Sequence, residues 1–264
     1  MSRKIFWTDF CASDFDSVDA DKAIAILPIA AVEQHGPHLP VGTDTIINQS
    51  MIELLAAQAP AELDLRILPV QAIGKSNEHI WAKGTITHTA TNLIDAWTQI
   101  GLEVARAGLR KIVFINSHGG NEEIMGIVAR ELRVRAGMLA VKSGWRFKAP
   151  GVLSELEARH GIHGGDAETS LILHFRPELV DMNKAENFVS IAARDEQQFT
   201  HLRPTGGFGH VYAWIASDIN PSGAVGDASL ATAEKGAVIA AANIEGMIEV
   251  LREVERMPLP GTRG

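Results

Sequence analysis

The chain has 264 residues, 46% of them apolar, and a net charge of −8 with histidine neutral. That length buries a sizeable core, while no apolar run reaches the ~20 residues a membrane span requires. An acidic chain without grouped Lys and Arg lacks what phosphate neutralisation demands, which excludes nucleic acid as a partner, and a single cysteine, Cys11, excludes an intramolecular disulfide and a thiolate-rich zinc site. Any metal site must therefore use His, Asp and Glu, and ten histidines leave room for one. Near the N-terminus, MSRKIFWTDFCASDFD sets acidic residues ahead of any apolar stretch of signal-peptide length, so the expected location is the cytoplasm. Cys11 has no flanking motif and reads as a packed or surface thiol.

Apolar strand-like runs alternate with helical patterns. Residues 23–30 (AIAILPIA) read as a buried strand, 45–59 as a helix, and 66–73 (RILPVQAI) as a second strand. A longer helix is predicted over 90–107. Residues 111–116 (KIVFIN) form a third strand, followed by a helix over 122–136 that puts Ile124, Ile127, Val128 and Leu132 on one face. A short strand at 139–142 follows, and a final long helix runs from 230 to about 255. Between them, 183–227 is rich in Gly, Pro, Asn and Ser and is expected to form loops and short elements. Strands alternating with helices predict an α/β fold with a mostly parallel sheet covered on both faces. In such sheets ligands bind beyond the carboxyl ends of the strands, so the residues after each strand are the ones to inspect.

After the first strand comes VEQHGPHLPVGTDT, residues 32–45. Glu33 and His35 are spaced by two, which in extended backbone puts both side chains on one side. Pro37, Pro40 and Gly42 turn the chain, bringing Asp44 back toward the same point. An ionised carboxylate has two acceptor oxygens, so Asp44 is suited to bridging two cations. The other reading is a polar turn in which Asp44 or Thr43 caps the next helix. The third strand ends in NSHGGN, residues 116–121, which places His118 on the same sheet edge. Gly119 and Gly120 permit close approach, and Asn121 is a candidate donor to an oxyanion at a helix start. HGGDAETS, residues 163–170, joins His163 to Glu168 at a predicted helix N-terminus; both are candidates for acid–base work and for metal ligation. Asp166 and Glu168 fit equally well as dipole-favouring acids. GKSNEHIWAKGT, residues 74–85, follows the second strand and sets Ser76, Glu78 and His79 within reach of a substrate, or else forms a solvated loop.

Other signals carry less. GGFGH at Gly206 fails the dinucleotide spacing; no P-loop or G-x-S-x-G elbow is present. Trp81, Trp145 and Trp214 read as core residues, with Trp145 and Arg146 also able to line a pocket.

Taken together, VEQHGPHLPVGTDT, GKSNEHIWAKGT, NSHGGN, HGGDAETS and GDASLATAEKG (226–236) resemble the creatininase (creatinine amidohydrolase) family, in order over most of the chain. The resemblance implies a three-layer α/β/α fold, a single metal-dependent hydrolase domain over 1–264, and assembly as a homo-oligomer, often a hexamer. It also implies two divalent cations per chain, zinc or manganese with iron as a further option, and hydrolysis of a non-peptide C–N amide bond in a small substrate. Carried over by position, Glu33 and His118 would hold one metal, His35 the other, and Asp44 would bridge them; on general acid–base grounds His163 would protonate the leaving nitrogen. Two departures stand out. Creatininase supplies a glutamate two residues after the histidine matching His118, where this chain has Gly120, so the second metal, the one on His35, would be a ligand short, with Glu168 the expected substitute. The Trp-Asp pair that precedes the histidine matching His163 is also missing, since this chain has His160, Gly161 and Ile162. Both point away from creatinine itself, toward formamides, peptide-like precursors or lactones. Lactone hydrolysis or sugar isomerisation on the same site, or a non-catalytic family member, are the rival functions.

Overall fold

The computed structural model describes residues 3–204, 210–259 and 261. Most of the GGFGH segment lies outside them. Four strands form one parallel sheet: β1 (Ile24–Ile29), β2 (Leu65–Ile67), β3 (Lys111–Asn116) and β4 (Leu139–Gly144), in the spatial order β2-β1-β3-β4. Between them run α1 (Thr43–Gln58), α2 (Ala90–Arg106) and α3 (Glu122–Ala136). The rest comprises α4 (Glu155–His160), α5 (Asp166–Phe175), β5 (Asn187–Phe188), α6 (Ile191–Gln198), β6 (Leu202–Arg203), β7 (His210–Val211), α7 (Ala216–Ile219), β8 (Gly226–Asp227) and α8 (Ala233–Arg256).

Every residue of β1 and of β3 is buried, because alternate side chains enter two separate cores. Ile24, Ile26, Val113 and Ile115 pack with Met51 and Leu55 of α1, Ile172 of α5 and Ile244 and Leu251 of α8. Ala25, Leu27, Ile29, Ile112 and Phe114 pack on the other face with Leu93 and Trp97 of α2 and Val128 and Leu132 of α3. The result is the three-layer α/β/α arrangement with a parallel sheet. Among the described residues no helix is long and apolar enough to cross a membrane.

Two helix ends carry their signals in the sequence. Thr89 caps α2 by accepting from the Asn92 N–H, and α3 stops at Gly137, whose φ of 65° is the left-handed conformation that a C-terminal glycine adopts without strain. The second strand is shorter than predicted. Regular pairing ends at Ile67, and Pro69 has no N–H to give to the ladder; a single bridge between Ile29 and Gln71 resumes it. The sequence reading did not separate α4 from the surrounding loop. Trp81 departs from its reading as a core residue: it is exposed on the loop after β2, whereas Trp97 is the fully buried tryptophan. Trp145 packs against the α1 and α8 side, and the Trp214 indole donates to the Pro204 carbonyl.

Candidate metal centre

The segments that leave β1 and β3, the loop after β2 and the start of α5 converge beyond the carboxyl edge of the sheet. Glu33 and His35 follow β1, and Glu33 donates its backbone N–H to the Val41 carbonyl as the chain turns toward α1. Neither Thr43 nor Asp44 caps that helix: Gly42 is the N-cap without a side-chain bond, and the Thr43 hydroxyl donates to the Pro40 carbonyl. Asp44 instead points into the site, 1% exposed. Its Oδ1 lies 3.4 Å from His35 Nε2 and its Oδ2 3.4 Å from His118 Nδ1. Glu33 Oε1 lies 3.1 Å from His118 Nδ1, 3.5 Å from His163 Nδ1 and 3.5 Å from His79 Nε2. Glu168 Oε2 stands 3.7 Å from His35 Nε2 and accepts the Gly164 N–H at 2.6 Å. Gly164 makes this turn with φ 62°, and a Cβ there would lie 3.0 Å from the His35 carbonyl.

The histidine tautomers follow from their outer partners, since a carbonyl only accepts. His35 Nδ1–H donates to the Glu33 carbonyl at 3.0 Å, His118 Nε2–H to the Lys75 carbonyl at 2.8 Å, and His163 Nε2–H to the Gln34 carbonyl at 2.6 Å. The remaining ring nitrogen of each faces the carboxylates. Histidines that hold metals are oriented in this way, by an N–H given to a carbonyl behind them. Yet both oxygens of Glu33, Oδ2 of Asp44 and Nε2 of His35 are buried with no hydrogen-bond partner. Buried polar atoms are normally satisfied. Acceptors and bare nitrogens that crowd to within 3.1–3.7 Å of one another without hydrogen bonds fit shared divalent cations. Among the described residues three groups have the spacing to hold one: Glu33, His35 and His163; Glu33, Glu78 and His118; and His35, Asp44 and Glu168.

Without cations, protons balance the charges. Burial opposes a charge on His35, but Asp44, Glu168 and Glu33 outweigh it and raise its pKa to about 10. His118 is likewise raised well above the ordinary value by Glu33, Glu78 and Asp44 against its burial. Burial pushes Asp44 up to about 6, with Glu33 adding and His35 pulling the other way. Burial would raise Glu33, but the neighbouring histidines hold it below the usual carboxylate range. His163 is lowered to about 4 by burial and by the charge on His35. A histidine pKa raised on folding stabilises the fold below its unfolded value near 6.5, and that stability is lost as pH rises through the folded value. In chelator-treated protein the melting temperature is therefore expected to fall between about pH 7 and pH 10, by at least about 4 °C. Zinc or manganese should remove most of that slope, because the cation replaces the protons. A flat profile in the chelated protein, read by calorimetry, would contradict the charge pattern.

Some sequence-predicted residues take other roles. Asn121 is fully buried, and its two amide protons go to the Ala30 carbonyl and Asn116 Oδ1 while its own oxygen accepts the Lys75 N–H. No donor remains for an oxyanion, so Asn121 ties three loops together. Ser76 is also buried, with its hydroxyl 3.3 Å from His118 Nε2. Glu168 joins His35 and Asp44, the group of the second cation for which it is the expected substitute, while the carboxylate beside Gly120 is Glu78, whose Oε1 lies 3.4 Å from His118 Nε2. Gln34 was not singled out by the motifs. Its amide donates to His79 Nδ1 at 2.8 Å and to the Gly223 carbonyl at 3.0 Å, which turns His79 Nε2–H toward Glu33. Its place between two ligand-type residues is the signal that marks it.

The family model for creatininase, described as creatinine amidohydrolase, matches residues 8–251. The chain belongs to the creatininase family. It is 30% identical over 233 residues to the mycofactocin precursor peptide peptidase of Mycolicibacterium smegmatis, covering 87% of this chain and 84% of that protein. It is 27% identical over 271 residues to creatinine amidohydrolase of Pseudomonas putida, covering 96% and 98%. A 3-dehydro-scyllo-inosose hydrolase from Thermotoga maritima is 25% identical over 249 residues, covering 89% and 79%. Among solved structures, a manganese form of creatininase superposes with a TM-score of 0.73 at 22% identity, covering 97% of this chain and all of that one, which supports the creatininase-like fold.

Proposed function

We propose that this protein is a metal-dependent hydrolase that cleaves a C–N amide bond in a small substrate. The observation that carries this is the set of three histidines, each giving one N–H to a backbone carbonyl and aiming the other nitrogen at buried, unpartnered carboxylate oxygens. Glu33 and His118 would hold one divalent cation and His35 with Glu168 the other, and Asp44 would span both. Bound there, zinc or manganese supplies a Lewis acid for the carbonyl and a water of lowered pKa. The chain's own residues do the rest. His163 Nδ1 is bare, because its Nε2–H is fixed on the Gln34 carbonyl, and it lies 3.5 Å from Glu33 Oε1. It is the group placed to carry a proton to the leaving nitrogen. Burial and the charge on His35 lower its pKa to about 4, so it is neutral near pH 7 and would first take up the proton that it passes on. Gln34 and the ring of His79, whose centroid is 4.4 Å from that of His163, keep this imidazole in place.

Relatives named as acting on a peptide precursor and on creatinine share an amide-type bond, which supports the bond class over any one substrate. The expected result is turnover of at least one member of a panel of cyclic amides, formamides and short peptides, lost on chelation and restored by zinc or manganese. Metal-loaded protein inactive on every amide but active on a cyclic ketone or lactone would move the assignment to the second reading, which the Thermotoga relative favours.

A further inference from the structure

Resting on the two-cation reading, we propose that Gln34 is a positioning residue that acts through His79: its side-chain amide holds His79 in the tautomer that turns an N–H, and not a lone pair, toward the ligand carboxylate of Glu33.

Three imidazoles converge on Glu33 Oε1: His118 Nδ1 at 3.1 Å, His163 Nδ1 at 3.5 Å and His79 Nε2 at 3.5 Å. His118 and His163 each give their one proton to a backbone carbonyl behind them, so the nitrogens they present to Glu33 are bare. His79 is turned the other way round. Its Nδ1 lies 2.8 Å from the Gln34 side-chain nitrogen, which only donates, so the proton of neutral His79 sits on Nε2. Of these three rings, His79 alone has a hydrogen to give to Glu33. Ligating carboxylates are oriented by such donors, which change metal affinity without touching the ion.

The amide of Gln34 is itself fixed. Its Oε1 accepts the Gly36 N–H at 2.8 Å and its Nε2 donates to the Gly223 carbonyl at 3.0 Å, so exchanging the two atoms would set donor on donor and acceptor on acceptor. Gly223 and His79 then use both amide protons. His163 Nε2, 3.3 Å from the same nitrogen, is itself a donor, so that approach is not a bond. Gly223 has φ 82°, and a Cβ there would lie 2.4 Å from Gln34 Oε1 and 2.5 Å from its Nε2, so glycine is what lets this backbone close on the amide. Gln34 and His79 are 7% and 3% exposed, which keeps water from replacing either partner. The contact between His79 and Glu33 is open at 3.5 Å, and a shift of about 0.6 Å closes it to a hydrogen bond of the charge-assisted kind. If Gln34 only filled space, either tautomer of His79 would serve.

Two measurements decide it. The first reads the tautomer. In chelator-treated protein with isotope-labelled histidine, at about pH 8 and so above the ordinary histidine value, nitrogen–proton correlation spectra are expected to show His79 in the Nε2–H form, assigned by its absence in His79→Gln. Gln34→Met removes the amide and should abolish that preference, while His163 keeps its Nε2–H, because its partner is the backbone carbonyl of residue 34. An Nδ1–H form in the wild type, or a His79 unchanged in Gln34→Met, overturns the proposal. The second reads metal affinity by chelator competition with zinc. His79→Leu is expected to weaken one of two ions by at least about 10-fold, and His79→Gln, whose amide nitrogen can stand in for Nε2, to stay within about 3-fold of wild type. Equal losses in both variants would mean that His79 only fills space, and would also overturn it. Fewer than two ions in a wild-type protein that shows the Nε2–H form would instead sink the two-cation reading.

Discussion

Asp44→Ala is expected to reduce bound metal from about two ions per chain to fewer than one and to cut kcat/KM by about 10³-fold or more, equivalent to about 4 kcal/mol of transition-state stabilisation. The reason is geometric. Asp44 presents one oxygen to His35 and the other to His118, the two histidines of opposite halves of the site, at 3.4 Å each. No other carboxylate among the described residues is that close to both. Its removal leaves neither cation with its full set of donors. It also takes away the strongest charge that favours a proton on His35, so the histidine becomes easier to deprotonate while the cation it served is lost. Asp44→Asn separates charge from packing. The amide fills the same buried volume but carries no charge, so it should fold like the wild type by circular dichroism and still lose metal. Elemental mass spectrometry on both variants is the check. Two ions retained in either variant would remove Asp44 from the bridging position.

How much of this could be read from the sequence differs between scaffold and site. The β1 and β3 strands were legible because both of their faces are buried, which writes a continuous apolar run. The α3 helix was legible to the residue because Glu122 and Glu123 open it and Gly137 closes it. The β2 strand was overextended because its apolar run continues through Pro69, which cannot pair. The segment ELEARH, by contrast, looks like any solvated helix, and only tertiary structure shows Glu157 pointing inward. The ligand-type residues were legible because they sit immediately after strands or at a helix start. The supporting residues were not, because their roles are set by partners far along the chain: Gln34 meets His79 from 45 residues away, and His163 meets the Gln34 carbonyl across 129. Glu168, the expected substitute for the carboxylate absent at 120, does lie with His35 and Asp44; its place at a helix start was legible from the HGGDAETS segment.

Glu157 illustrates the same limit and carries the largest expected effect on stability. It lies on α4, 4% exposed, and its carboxylate accepts two backbone N–H groups at 2.8 Å each, from Asp166 at the start of α5 and from Asp227 of β8. Three glycines close around it: a Cβ at Gly161 or Gly165 would lie 2.2 Å from Glu157 Oε1, and one at Gly226 2.8 Å from it. The chain thus wraps backbone directly onto this carboxylate and joins the segment bearing His163 and Glu168 to the 225–227 segment. Burial raises its pKa, the two N–H donors oppose that, and the nearby Asp166 and Asp227 add to it. Glu157→Ala leaves two buried N–H groups without acceptors and opens a cavity among glycines that cannot fill it. Each orphaned group costs about 1–3 kcal/mol, so a loss of roughly 3 kcal/mol or more in urea unfolding is expected, together with a melting temperature lower by roughly 6–12 °C. Glu157→Gln keeps one acceptor oxygen and faces the other N–H with an amide nitrogen, so it should lose about half as much. An alanine variant within about 0.5 kcal/mol of wild type would mean that water satisfies both N–H groups, and that the start of α5 is held in place without this carboxylate.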